Sequence, residues 1–171
     1  MKLLRALAAL LLGWAVVVAA PAAEVSAPRV LRYAFPVAET GFDPAQITDL
    51  YSRYVTGHIF DGLYHYDHLA RPFLVTPNVA DGIPVISDDF RTWTIRIKPG
   101  IFFTPDPAFK GQPREVTAQD YVYSLTRLYD PSLKSPWLFL LEDKLVGDAA
   151  LKTTFSYDTP IAGLQALDKY T

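Results

Sequence analysis

The 171-residue chain carries 16 Lys and Arg against 18 Asp and Glu, a formal charge of −2, and no cysteine. Disulfide and thiol chemistry are therefore excluded, and stability rests on packing. A weakly acidic chain with no Lys/Arg cluster also argues against a nucleic-acid partner.

Lys2 and Arg5 precede an apolar run at residues 6–20, and Ala20-Pro21-Ala22 then offers small residues, with Ala23 beside them. That order is the pattern of a secretory signal peptide. The run is shorter than the ~20 residues of a membrane-spanning helix. Residues 1–22 are expected to be cleaved on export, leaving 23–171 as the mature part. With no cysteine to carry a lipid, a free protein in a periplasm is expected rather than a tethered one. The ten Tyr, ten Phe and three Trp suit either a core or a cleft lined by amphipathic rings.

Residues 29–35 are β-branched and aromatic and end at Pro36, which predicts a strand. Asp43-Pro44 marks a turn, because proline fixes its own φ and aspartate bonds its local backbone. Tyr51, Val55, Ile59 and Leu63 then recur at helical spacing behind Asp49, a candidate N-cap. Gly57 and Gly62 weaken that helix, so packing must hold it. A turn at residues 85–90 leads to Trp93-Thr94-Ile95-Arg96-Ile97-Lys98, whose alternation predicts a strand closed by Pro99-Gly100. Residues 104–116 hold three prolines and a glycine and read as a loop.

The clearest element follows. Thr117 and Asp120 have capping-box spacing, and Val122, Leu125 and Tyr129, with Tyr121 and Leu128 beside them, share one helical face. Pro131 disfavours helical geometry at Asp130, so the helix should stop there. Ser135-Pro136-Trp137 comes next.

The order W-T-I-R-I-K-P-G-I-F-F, then V-T-A-Q-D-Y-V-Y-S-L-T-R-L-Y-D-P, resembles the extracellular solute-binding proteins of family 5, receptors for oligopeptides, dipeptides and nickel. Ile59-Phe60-Asp61-Gly62-Leu63 is similar to that family's L-F-E-G-L. A hairpin in relatives corresponds to the stretch around residues 66–72. Three departures stand beside these matches. Phe42 replaces the usual leucine before Asp43-Pro44, no tryptophan follows Pro77-Asn78-Val79-Ala80-Asp81-Gly82, and Asp89 occupies a position where relatives have glycine.

The resemblance implies an α/β fold, part of the first lobe of a two-lobed periplasmic-binding-protein (type II-like) architecture. The chain then reads as a fragment covering roughly the first third of such a receptor. It implies a non-enzymatic, monomeric solute-binding component of an ABC importer, without cofactor, which captures peptides or another small solute for an inner-membrane permease. Positions matched to the family's ligand contacts are Thr48, Asp49 and Leu50, with Trp137 as the aromatic after S-P. Asp49 has two readings here, as a partner for a peptide α-amine or as a plain helix cap. Trp137 is either a cleft wall or core.

Rival readings are an exported metal-dependent hydrolase or a truncated receptor without function. The first would use His58, His65 and His68. His65 and His68 stand three apart, a spacing of low specificity for metal. No nucleophile motif or phosphate loop supports catalysis.

Overall fold

The structure, a computed structural model, describes residues 29–171. The expected signal peptide at residues 1–22 lies outside the described residues. Residues 29–34 belong to a separate compact unit from residues 35–171. They adopt no regular element, and Val30, Leu31 and Tyr33 are exposed. The strand expected over 29–35 is therefore corrected. Its composition suits a strand, but a strand exists only where a neighbour completes its ladder, and no described ladder includes it.

Within residues 35–171, α1 (Leu50–Thr56) begins at Asp49, whose carboxylate accepts the Ser52 N–H at 2.8 Å. The helix is shorter than its periodicity predicts. It closes at Gly57, whose N–H reaches the Arg53 carbonyl at 2.9 Å. Ile59 lies in the following turn, exposed, while Leu63 packs on the core from a bend just before residue 64. Two glycines within six positions each cost a helix about 1 kcal/mol, which outweighs one more apolar turn.

β1 (Tyr64–Tyr66) pairs antiparallel with β2 (Val75–Pro77), and β3 (Val85–Ile86) with β4 (Trp93–Thr94). The first pair is the hairpin expected from the resemblance. The strand predicted over residues 93–98 is regular only at its start. Gly82, at φ 87°, and Pro84 interrupt the opposing chain, and proline has no N–H to donate. Contact resumes beyond the break, where the Asp81 N–H reaches the Arg96 carbonyl at 2.7 Å and the Lys98 N–H reaches that of Val79 at 3.0 Å.

α2 (Ala118–Thr126) runs on as a 3-10 turn, Arg127–Tyr129, and ends at Asp130, as its sequence predicts. The Asp120 carboxylate accepts both the Thr117 N–H at 2.8 Å and the Thr117 hydroxyl at 3.0 Å. A short α3 (Ala149–Thr153) follows. Among the described residues no helix is long and apolar enough to cross a membrane.

Two apolar clusters hold these elements. Val79, Ile97 and Ala118 form one, with Leu63, Ile101, Val116 and Tyr121 against it. Tyr129, Leu151 and Ile161 form the other. In the second the Tyr129 hydroxyl donates to Asp148 at 3.0 Å, so a buried phenol keeps a partner.

The proline-rich loop at 104–116 is closed on itself. The Phe103 N–H bonds the Arg114 carbonyl at 2.9 Å, and the Val116 N–H bonds that of Ile101 at 2.8 Å. Arg114 pairs with Asp120 and lies 4.4 Å from the Phe103 ring centroid. Glu115 next to it accepts from the Gly100 N–H at 2.6 Å, the Lys169 ammonium at 2.6 Å and the Tyr170 hydroxyl at 2.9 Å. Lys169 first, then the Gly100 amide and the Tyr170 hydroxyl, lower the Glu115 carboxyl from the usual 4.5 to about 2.

A depressed carboxyl contributes stability above its unfolded pKa and loses it as pH falls through the folded value. Glu115→Gln should therefore melt below the parent protein near neutral pH. The gap should close as pH falls from about 4.5 towards about 2. Thermal melts across that window check it, and a gap independent of pH would remove the ionised glutamate from the account.

Candidate functional site

The segment ahead of α1 is fixed at several points. Asp43 begins a turn in which its side chain accepts the Ala45 N–H at 3.0 Å, and its carbonyl accepts from Gln46 and Ile47 at 3.0 and 3.1 Å. Ala45 and Ile47 are buried. From the helix side, the buried Ser52 hydroxyl accepts the Thr40 N–H at 2.9 Å, and the Thr40 hydroxyl donates to Asp49 at 2.5 Å.

Both Asp49 carboxylate oxygens are thus engaged, one by Ser52 and the other by Thr40. The Ser52 hydroxyl, the Ser52 amide and the Thr40 hydroxyl, in that order, hold its pKa well below the usual carboxylate range. The helix-cap role of Asp49 is what the geometry displays. Thr48 and Leu50 on either side are exposed. Among the described residues the Thr48 N–H has no hydrogen-bond partner. A free main-chain donor on an exposed, pinned segment is what an extended ligand can use.

Trp137 arrives from 90 positions away in sequence and donates its indole N–H to the Ile47 carbonyl at 2.9 Å. Gln46 adds a bond to the Leu133 carbonyl at 3.2 Å. The fold thereby brings Trp137 next to the Thr48, Asp49 and Leu50 stretch. Its ring is half-buried, a burial compatible with a cleft wall and with a core position alike. The donor a ligand would have used is already spent on Ile47.

Asp43 and Arg127 lock this arrangement from the far end of α2. The guanidinium grips the carboxylate with two bonds, at 3.0 and 2.6 Å. Arg127 is the largest cause of the lowered Asp43 pKa, and Asp43 the largest cause of the raised Arg127 pKa. Such a fork-on-carboxylate contact fixes direction as well as distance. Arg53 stands 5.9 Å from the Trp137 ring centroid.

These three residues were not singled out as site residues from sequence. Asp43 reads from sequence as a turn former, and no local pattern reports a partner 84 positions away.

Between these groups lies a cavity of about 630 Å³ whose walls include Ile47, Phe60, Leu125, Trp137 and Leu140. A smaller cavity of about 340 Å³ between Trp93, Tyr121 and Leu164 is lined by none of the expected site residues. The three histidines do not converge. His58 bonds the Tyr54 carbonyl at the end of α1, His65 sits in β1, and His68 is in the hairpin loop. Among the described residues no group of three potential ligands could hold a metal ion.

The fold matches about a quarter of the length of solved chains of peptide-binding receptors. It superposes on the pheromone receptor PrgZ, solved for its mode of peptide binding, with a TM-score of 0.58 and 25% identity, covering 77% of this chain and 24% of that one. On Listeria monocytogenes OppA bound to peptide the TM-score is 0.60 at 23% identity, with 78% and 24% covered. A family profile described as bacterial extracellular solute-binding proteins, family 5 Middle, matches residues 75–171. The chain belongs to that family.

Among curated relatives, the oligopeptide-binding protein AmiA of Streptococcus pneumoniae is 31% identical over 149 residues, 86% of this chain and 21% of AmiA. The periplasmic oligopeptide-binding protein OppA of Salmonella typhimurium is 29% identical, with 75% and 22% covered. The chain thus spans less than a quarter of the length of the curated relatives it matches.

Proposed function

We propose that this chain forms the first part of the peptide-contacting lobe of an exported receptor that serves an ABC importer. The observation that carries the reading is the seat of Trp137 on the Ile47 carbonyl. It fixes an aromatic wall beside exposed Thr48 and Leu50 in a chain of the solute-binding family. In this reading the main chain at Thr48 to Leu50 meets an extended peptide, and Trp137 packs against a ligand side chain. Asp49 holds the segment in shape through its bonds to Thr40 and Ser52, and its remaining lone pairs stay open to a peptide amine.

Capture is non-covalent. Two lobes close on the solute, and the closed form is what the membrane permease engages. Residues 1–22 act as the cleaved export signal, and the receptor works as a periplasmic monomer.

The test uses the full-length gene product, purified from periplasm without added ligand, denatured, and its released small molecules identified by mass spectrometry. A ladder of short peptides is the expected result. A chelated metal or a sugar would keep a receptor and overturn the peptide. An empty protein that also fails to bind peptides in calorimetry would overturn the receptor reading itself.

A further inference from the structure

The cavity of about 630 Å³ beside Trp137 is walled by Ile47, Phe60, Leu125, Leu128 and Leu140, and among the described residues its charged lining groups are Arg53 and Arg127. Among the described residues no carboxylate lines it. The two guanidiniums are not equivalent. Arg127 is neutralised by its two bonds to Asp43. Arg53 has no carboxylate partner among the described residues and lies over the face of Trp137.

An apolar chamber with one uncommitted positive fork has a definite complement. Arginine donors match a carboxylate in pairs, while apolar walls favour a hydrocarbon or aromatic body attached to it. Polar cations are disfavoured by Arg53, and a fully apolar occupant leaves the fork unused.

Resting on the peptide-receptor reading above, we propose that this cavity is a carboxylate subsite for the bound peptide. Arg53 receives the carboxylate, and Trp137 and Leu140 receive the apolar side chain next to it. The carboxylate is either an acidic side chain or the peptide's C-terminus, since both present the same group. The receptor thereby prefers peptides with an acidic group beside a bulky apolar residue.

Three tetrapeptides separate the sources, each measured by calorimetry on the full-length protein and on Arg53→Gln and Arg53→Lys variants. The first is Ala-Ala-Leu-Glu with an amidated C-terminus. The second is Ala-Ala-Leu-Gln with a free C-terminus, and the third is Ala-Ala-Leu-Gln amide. A charge-assisted hydrogen bond at a partly wet site is worth about tenfold in affinity.

One of the first two peptides should therefore bind about tenfold tighter than the third. That advantage, taken on each protein relative to the neutral amide, should vanish in Arg53→Gln, persist in part in Arg53→Lys, and weaken with added salt. Which carboxylate peptide gains identifies the source. Equal binding of all three peptides by the parent protein overturns the subsite and leaves the peptide receptor standing. So does an advantage that survives Arg53→Gln. Failure of every peptide to bind overturns both.

Discussion

Trp137→Ala should destabilise the protein by about 2 kcal/mol and, on the function proposed above, weaken peptide binding at least tenfold. Removing a fully buried tryptophan costs about 3–5 kcal/mol, and this ring is half-buried, which sets the lower figure. Two separate contributions are lost. One is the apolar area packed between Phe139, whose ring centroid lies 6.4 Å away, and the Arg53 guanidinium. The other is the indole bond to the Ile47 carbonyl. Without it the segment bearing Thr48 is tied down less firmly, so ordering it on binding costs more.

Trp137→Phe divides these terms. It keeps most of the area but loses the hydrogen bond, for about 1 kcal/mol. Thermal melts and calorimetric titrations of both variants check the pair. Unchanged melting in Trp137→Ala would show that the ring does not anchor the segment, and the site assignment would go with it.

The second large effect concerns the clasp between Asp43 and Arg127. Their side chains keep about a quarter of their exposure, 27% and 26%, so solvent screens the pair only in part. Removing one partner leaves the other charge half-buried and alone, which costs several kcal/mol in a fully buried site and about 2 kcal/mol here. Asp43→Ala and Arg127→Met should each lose about that amount. The double variant should lose less than their sum, with a coupling of about 1 kcal/mol or more.

Acid should act in the same direction. The Asp43 pKa is lowered from 3.8, so the contribution of the clasp is complete above that value and fades as pH falls below it. Urea unfolding of the four proteins near neutral pH supplies the cycle. Additive losses would mean that the two groups do not support each other.

Local features were legible in the sequence where one stretch carries its own explanation. Thr117, Asp120 and Pro131 bracket α2 because capping and proline geometry act within a few residues. Pro99-Gly100 turns where it should, with Gly100 at φ 79°, a region open chiefly to glycine. Asp49 caps α1 for the same local reason. Misreadings fell where a neighbour decides. Residues 29–35 have strand composition without a described ladder, and residues 93–98 pair regularly only at Trp93–Thr94. Ile59 follows the helical period of α1 but lies past a glycine that ends it.

The sequence alone determined the family, the capped helix and the proline loop. Each follows from short-range stereochemistry or from the order of motifs. Tertiary structure alone decided that Trp137 spends its donor on Ile47, that Arg127 clasps Asp43, and that Arg53 faces an apolar cavity with no counter-ion among the described residues. Those facts depend on which residues meet across 84 and 90 positions of chain. Such meetings are set by the packing of whole elements, and hydrophobic packing carries no record of them in any local pattern.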